Sequence, residues 1–318
     1  MKHSKKLRAC FIVAFLLTVM WPNVALANGL AGDVDGNRML DIQDVTLLIG
    51  KVLNGTATVN DNCEVDGRDG IDVADVIELI HEVLNPTGKM TFAVDGHLFS
   101  LVAVEGGTFS MGSTGSDAIY NERPVHSVTL SSFYIAQVEV TQALWSAVMG
   151  NNPSYYKGDN LPVHRVTWDN CQKFITKLNA LTGFEFRMPT EAEWEYAARG
   201  GQLTHGYKYA GSNSLDDVAW YMANAGSQPL AVATKLPNEL GLYDMSGNVR
   251  EWCQDYYADY TGTSQVDPTG PTQDEVIFKS RVNRGGAYNN AATGCRVTSR
   301  SDLQQTNSSM SIGMRLAM

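Results

Sequence analysis

Long apolar stretches are scarce in this chain. Beyond Phe11–Met20, no run comes near the length a bilayer-spanning helix needs, so no membrane span is expected. Positive charge is scarce as well: 24 Lys and Arg stand against 34 Asp and Glu, a formal net charge of −10. No basic stripe, zinc-finger spacing or aromatic-interleaved Lys/Arg run occurs, which argues against nucleic acid as a partner. His97, His126, His164 and His205 lack metal-ligand spacing and are expected to be hydrogen-bonded structural residues. The absence of G-x-S-x-G and H-E-x-x-H strings removes two familiar hydrolase signatures.

What is present begins with a basic start (Lys2, Lys5, Lys6, Arg8), the short apolar run, and a small-x-small site at Ala25–Ala27. That order is the pattern of a secretory signal over residues 1–27. The expected location is therefore outside the cytoplasm, extracellular or periplasmic, where disulfides can form. Without those residues 20 basic side chains remain against 34 acidic ones, a net charge of −14.

Residues 28–86 hold 12 acidic and 3 basic residues, arranged as an internal repeat. Asp44–Asn54 (DVTLLIGKVLN) returns as Asp75–Asn85 (DVIELIHEVLN), identical at seven of eleven positions with an offset of 31. Ahead of the first copy, Asp33, Asp35, Asn37, Asp41 and Asp44 place side-chain oxygens at positions 1, 3, 5, 9 and 12, with the Met39 carbonyl at 7. A hard seven-coordinate cation such as calcium needs that set. The second copy keeps Glu64, Asp66, Asp72 and Asp75 but puts Arg68 at position 5, so it is the weaker loop. Apolar residues at Val45, Leu48, Ile49, Val52 and Leu53 have helical spacing, making each unit a loop followed by one helix. The pair resembles a type I dockerin. That resemblance implies a small all-α calcium-loop module and a cohesin-like or other extracellular protein partner.

From Thr91 onward the pattern changes to short strands, many turns and few helices. Met90–Val104 alternates around Asp95-Gly96 as a hairpin should. Gln142–Met149 and Asp169–Leu181 show helical apolar spacing, and Thr190–Arg199 opens with a Thr190/Glu193 capping box. Residues 87–98 read as a linker and first strand, and 99–318 as one large α+β domain.

Several strings occur in a fixed order: Val104–Gly112 (VEGGTFSMG), Val138–Leu144 (VEVTQAL), Arg187–Gly201 (RMPTEAEWEYAARGG), Gly241–Trp252 (GLYDMSGNVREW), Arg284–Tyr288 (RGGAY) and Gly313–Arg315 (GMR). Together they resemble the formylglycine-generating enzyme, or sulfatase-modifying factor, family over about residues 95–318. The resemblance implies a C-type-lectin-like sulfatase-modifying fold. It also implies a calcium loop with ligands at Asp244, Gly247, Val249 and Glu251; the family's other calcium loop has no clear equivalent around Trp220–Pro237. Arg250 stands where the family usually has Trp.

The family's enzymes hold copper between two cysteine thiolates and oxidise a substrate cysteine to formylglycine. Aligned on Gly285-Gly-x-Tyr288, with a gap of three residues before Arg296, the first cysteine position is Asn290 and the second is Cys295; with the gap placed elsewhere neither position is matched by a cysteine. Soft thiolates select Cu(I), and an amide is a poor substitute. Cys171, Cys253 and Cys295 are the cysteines of this domain, with Cys63 in the module. In an oxidising compartment two of the three are expected to pair, Cys295 with Cys171 or Cys253; the alternative is a free thiol at Cys295.

Two functions compete. One is a non-catalytic ligand-binding or scaffold domain, docked through residues 28–86, whose loops Tyr288–Thr293 and Gln304–Ser311 present a surface to a glycan, a sulfatase or another protein. The other is a sulfatase-modifying oxidase with copper at Cys295. The acidic repeat makes a prediction of its own. Calcium should raise the melting temperature of the module's transition in the full chain, and Asp44→Ala should weaken calcium binding more than Asp75→Ala in a titration. Equal effects would count against the ranking of the two loops.

Overall fold

The computed structural model describes residues 24–25, 39–40, 46–51 and 88–318. By contacts the chain divides into two units, residues 1–93 and 94–318. In the first, Val24–Ala25 pairs antiparallel with Met39–Leu40. Residues 46–51 are helical, within the stretch expected to form a helix after the first acidic loop. The rest of that module, including Asp33, Asp35, Asn37, Asp41, Asp44, Glu64, Asp66, Asp72, Asp75 and Cys63, lies outside the described residues.

The large unit is built as the residue spacings dictate. It takes up the chain at Val94, the last residue of strand Lys89–Val94 of the first unit, and Asp95-Gly96, both with positive φ as a tight turn of primed type requires, leads into strand His97–Val104. His97–Val104 pairs with Phe133–Ala136. Gly107–Met111, His126–Leu130 and Gln265–Val266 form a second sheet. The third runs Arg300–Gln304, Ser280–Arg284, Arg250–Tyr256, Ile312–Met314, its last pair parallel. Helix Gln142–Met149 is capped by the Thr141 hydroxyl and stopped by Gly150 in the left-handed region. Trp168–Thr182 runs one residue further at each end than the apolar spacing indicates, because Thr167 and Gly183 are its caps. Trp145 and Phe174 stack at 4.9 Å where these two helices meet.

The third helix, Glu191–Ala198, has the capping box expected at Thr190 and Glu193, yet every one of its residues is buried. It packs against strands of two sheets. Its acidic residues therefore need partners inside the protein. Glu191 meets Arg300 and Arg284, and Glu195 meets Arg199 and Arg284. Glu193 takes both guanidinium nitrogens of Arg187 at 2.6 Å. Glu195 also accepts the Gly112 N–H at 2.9 Å. Burial alone would raise the Glu195 carboxyl, but Arg199 and Arg284 outweigh it and hold it at about 2.

Glu195→Gln leaves the buried Arg284 without half its charge compensation. The expected loss is about 3–5 kcal/mol of unfolding free energy, the scale of breaking one partner out of a buried pair. Because the native pKa is depressed, this contribution is present at neutral pH and disappears as pH falls from about 4.3 toward 2. Denaturant melts of parent and variant across that range check it; a difference that persists at pH 2 contradicts it.

Candidate functional site

Gly241–Trp252 enters the third sheet as a turn followed by a strand, and the loop after Ser280–Arg284 packs beside it. Gly247 N–H bonds to the Gly285 carbonyl at 2.8 Å, and Tyr288 N–H to the Asn248 carbonyl at 2.7 Å. The two family strings thus pack against each other. Gly286 has φ +73°, and a Cβ there would lie 2.5 Å from the Gly294 carbonyl oxygen and 2.8 Å from the Cys295 sulfur. Only glycine lets the chain reverse this tightly over Cys295.

Asn290 and Cys295, the two residues expected from the family resemblance to stand at the thiolate positions, both lie in this loop. Asn290 donates its N–H to Ala287, accepts from Met222 N–H at 3.1 Å, and has its side-chain oxygen buried without a partner. Burial pushes the Cys295 thiol up to about 11, against the opposing pull of Arg250, so it stays protonated at neutral pH. Its sulfur faces the Ala291 carbonyl at 3.8 Å.

The expected disulfide is not there: Cys171, Cys253 and Cys295 are free and buried. Each is packed separately. Cys253 sits in the central cluster with Trp194 and Val282, and Cys295 among Tyr209, Leu215, Val218 and Ala219. Cys171 is on the Trp168–Thr182 helix. Nor is Tyr288 presented to solvent as expected; it is buried with Ala225 and Val249, with Tyr156 edge-on to it. Ser311 is buried also, while Asn289, Thr293 and residues 306–308 are exposed.

The 244–251 turn is rich in buried charge. Asp244, at φ +60°, accepts the Ala233 N–H at 2.8 Å through one oxygen, and its other oxygen is buried without a partner. Glu251 accepts from Arg315 at 2.9 and 2.7 Å and from the Trp194 indole at 2.7 Å. Sequence reasoning missed Glu139, whose carboxylate accepts Val249 N–H at 3.0 Å and the Asn248 amide at 2.6 Å. Burial, with Asp244 and Glu251 adding repulsion, drives Glu139 well above the usual carboxylate range. Burial likewise raises Asp244 to about 6. Three buried carboxylates thus share one guanidinium, an excess of negative charge that a cation at Asp244 would balance. Such a cation would draw on the Gly247 and Val249 carbonyls, since among the described residues no three His, Cys, Asp or Glu side chains converge as ligands. Glu251 would have to serve it while bonded to Arg315.

Three of the four histidines are hydrogen-bonded as expected: the His164 ring accepts Tyr155 N–H at 3.0 Å, His126 lies 3.2 Å from the Pro124 carbonyl, and His205 lies 3.2 Å from the Glu239 carboxylate.

Residues 91–318 match the family model described as sulfatase-modifying factor enzyme 1-like domain. The chain belongs to that family. Chaperone protein LppX of Paenibacillus barcinonensis is 39% identical over 210 residues, covering 50% of this chain and 72% of LppX. A formylglycine-generating enzyme of Streptomyces coelicolor is 28% identical over 288 residues, covering 68% of this chain and 88% of the enzyme. Among solved structures, Treponema denticola variable protein 1 superimposes with a TM-score of 0.67 at 33% identity, over 72% of this chain and 98% of that one. The sulfatase-modifying-factor domain here thus shares its architecture with proteins of several names.

The raised Asp244 carboxyl makes a pH prediction. It keeps its proton to higher pH folded than unfolded, so in chelator the domain loses stability as pH rises from about 4 to about 6. Asp244→Asn should flatten that segment of the profile. The Asp255 contribution, a carboxyl pushed up to about 8 chiefly by burial, should remain between about 4 and 8. An unchanged profile in thermal melts would remove Asp244 from the account.

Proposed function

We propose that the sulfatase-modifying-factor domain is a non-catalytic ligand-binding domain rather than a formylglycine-generating oxidase. The carrying observation is Asn290 beside a lone, protonated Cys295: one sulfur where copper-thiolate chemistry requires two. The other two thiols are held in packing of their own and do not belong to this loop. Relatives named a chaperone as well as formylglycine-generating enzymes are consistent with one fold serving several ends.

In this reading residues 1–27 direct the chain out of the cytoplasm. Residues 28–86 are the dockerin-like calcium module and attach it to a cohesin-like or other extracellular protein. The charge excess at Asp244, Glu139 and Glu251 supports a structural calcium on the Asp244–Glu251 turn.

The test is a copper and oxygen assay on the purified, reduced chain with a cysteine-containing sulfatase peptide. The parent is expected to bind no stoichiometric Cu(I) and to form no formylglycine. Asn290→Cys, which supplies a second thiol, should gain Cu(I) affinity by tenfold or more, on the order of 1.4 kcal/mol. Formylglycine made by the parent and lost in Cys295→Ser would establish the oxidase instead.

A further inference from the structure

We infer that Arg250, backed by Asn283 and facing Asn290, is a binding site for the carboxylate of a sugar acid. The inference rests on the binding-domain reading and names the ligand class that its open face takes.

Four buried arginines of this domain, Arg284, Arg296, Arg300 and Arg315, each pair with a glutamate. The fifth, Arg281, is held instead by the Gln254 carbonyl at 2.7 Å and lies over the rings of Trp168 and Tyr256. Arg250 is half-buried, and among the described residues no carboxylate reaches it. Its guanidinium donates to the Asn283 side-chain oxygen at 3.5 Å, the outer limit of a hydrogen bond. A cation left in that condition is stabilised by any anion that can approach it.

Two amides around it are also unsatisfied. Asn283 is 1% exposed and its side-chain nitrogen has no partner. Asn290 has its side-chain oxygen buried with none. Between Asn290 and Arg250 the chain has Gly294. A Cβ at that position would lie 3.4 Å from the Asn290 Cβ, 3.8 Å from its Cγ and 3.9 Å from Arg250 Nη2. The guanidinium and the amide therefore look across a space that any larger residue would occupy.

The donors and acceptors choose the ligand. A planar guanidinium fork matches a planar carboxylate. The Asn290 oxygen can only accept, so it calls for a hydroxyl next to that carboxylate, and a uronic acid offers both. Sulfate or phosphate would set a larger negative charge against a single cation on a chain of net charge −10. A peptide C-terminus is commonly gripped by free backbone N–H groups. Here the Asn290 and Gly294 N–H groups are already bonded to the Ala287 and Ala291 carbonyls. Met222, 62% exposed and tied to Asn290 by its own N–H, adds apolar surface for the C–H face of a sugar ring.

The test is calorimetric titration of the full chain with glucuronate, glucose, sodium sulfate and an N-acetylated dipeptide. Glucuronate is expected to bind, at least tenfold tighter than glucose and more weakly as salt is added. Arg250→Gln should reduce glucuronate affinity at least tenfold. Gly294→Ala, whose new methyl meets only ordinary contacts, should weaken it with charge and melting temperature unchanged. The proposal is overturned if glucuronate gives no binding, if Arg250→Gln binds as the parent does, or if sulfate or the dipeptide binds as well as glucuronate. Failure here without formylglycine formation would sink the sugar-acid site and leave the non-catalytic reading standing. Formylglycine formation would sink that reading whatever glucuronate does.

Discussion

The large domain depends on guanidinium–carboxylate pairs made inside it. A fully buried helix carrying Glu191, Glu193 and Glu195 is untenable unless each charge is met. The strand and loop arginines meet them: Arg284 lies between Glu191 and Glu195, Arg300 closes on Glu191, and Arg187 on Glu193. Arg315 does the same for Glu251, whose other donor is the indole of Trp194 from the same helix. Such pairs gain little against a well-packed apolar alternative, but losing one partner is severe. They act as register pins for a chain whose loops are long and whose sheets are small.

These pairs tie the family strings to one another in space. RMPTEAEWEYAARGG, GLYDMSGNVREW, RGGAY and GMR each supply one half of a pair whose other half lies in another string. Their shared presence reports the scaffold, and it does not report a reaction. Residues 289–295 stand outside every one of these pairs. The loop can change its side chains without disturbing the frame that carries it.

Local rules were readable in the sequence and long-range ones were not. The caps at Thr141, Thr167 and Thr190 and the stops at Gly150 and Gly183 are nearest-neighbour physics, so the three helices follow from spacing within a residue or so. The turn at Asp95-Gly96 is equally local. The ion pairs are a different matter: Arg315 finds Glu251 across 64 positions and Arg296 finds Glu122 across 174. No periodicity links such partners, and Glu139 escaped notice for the same reason. The cysteines misled because the redox compartment bears on whether thiols can pair, whereas packing decides whether they meet. Cys253 and Cys295 each fill a separate apolar cluster. Tyr288 misled because a loop residue in sequence is here a core residue in space, buried against Val249.

The same reading of charge picks out two places on one turn where the interior is not balanced. At Asp244 three carboxylates share one guanidinium, a surplus of negative charge; at Arg250 a guanidinium has no carboxylate at all. They lie at the two ends of one short turn. Between them the chain is held by its own bonds: Gly247 to Gly285, the Asn248 amide to Glu139 and to the Leu230 carbonyl, and Val249 to Glu139. A turn fixed in this way loses little further freedom when a ligand arrives at either end, so less of the contact energy is spent on ordering. The family string thereby presents two preformed and opposite charge imbalances from a rigid support, and the surrounding loops are left to vary around them.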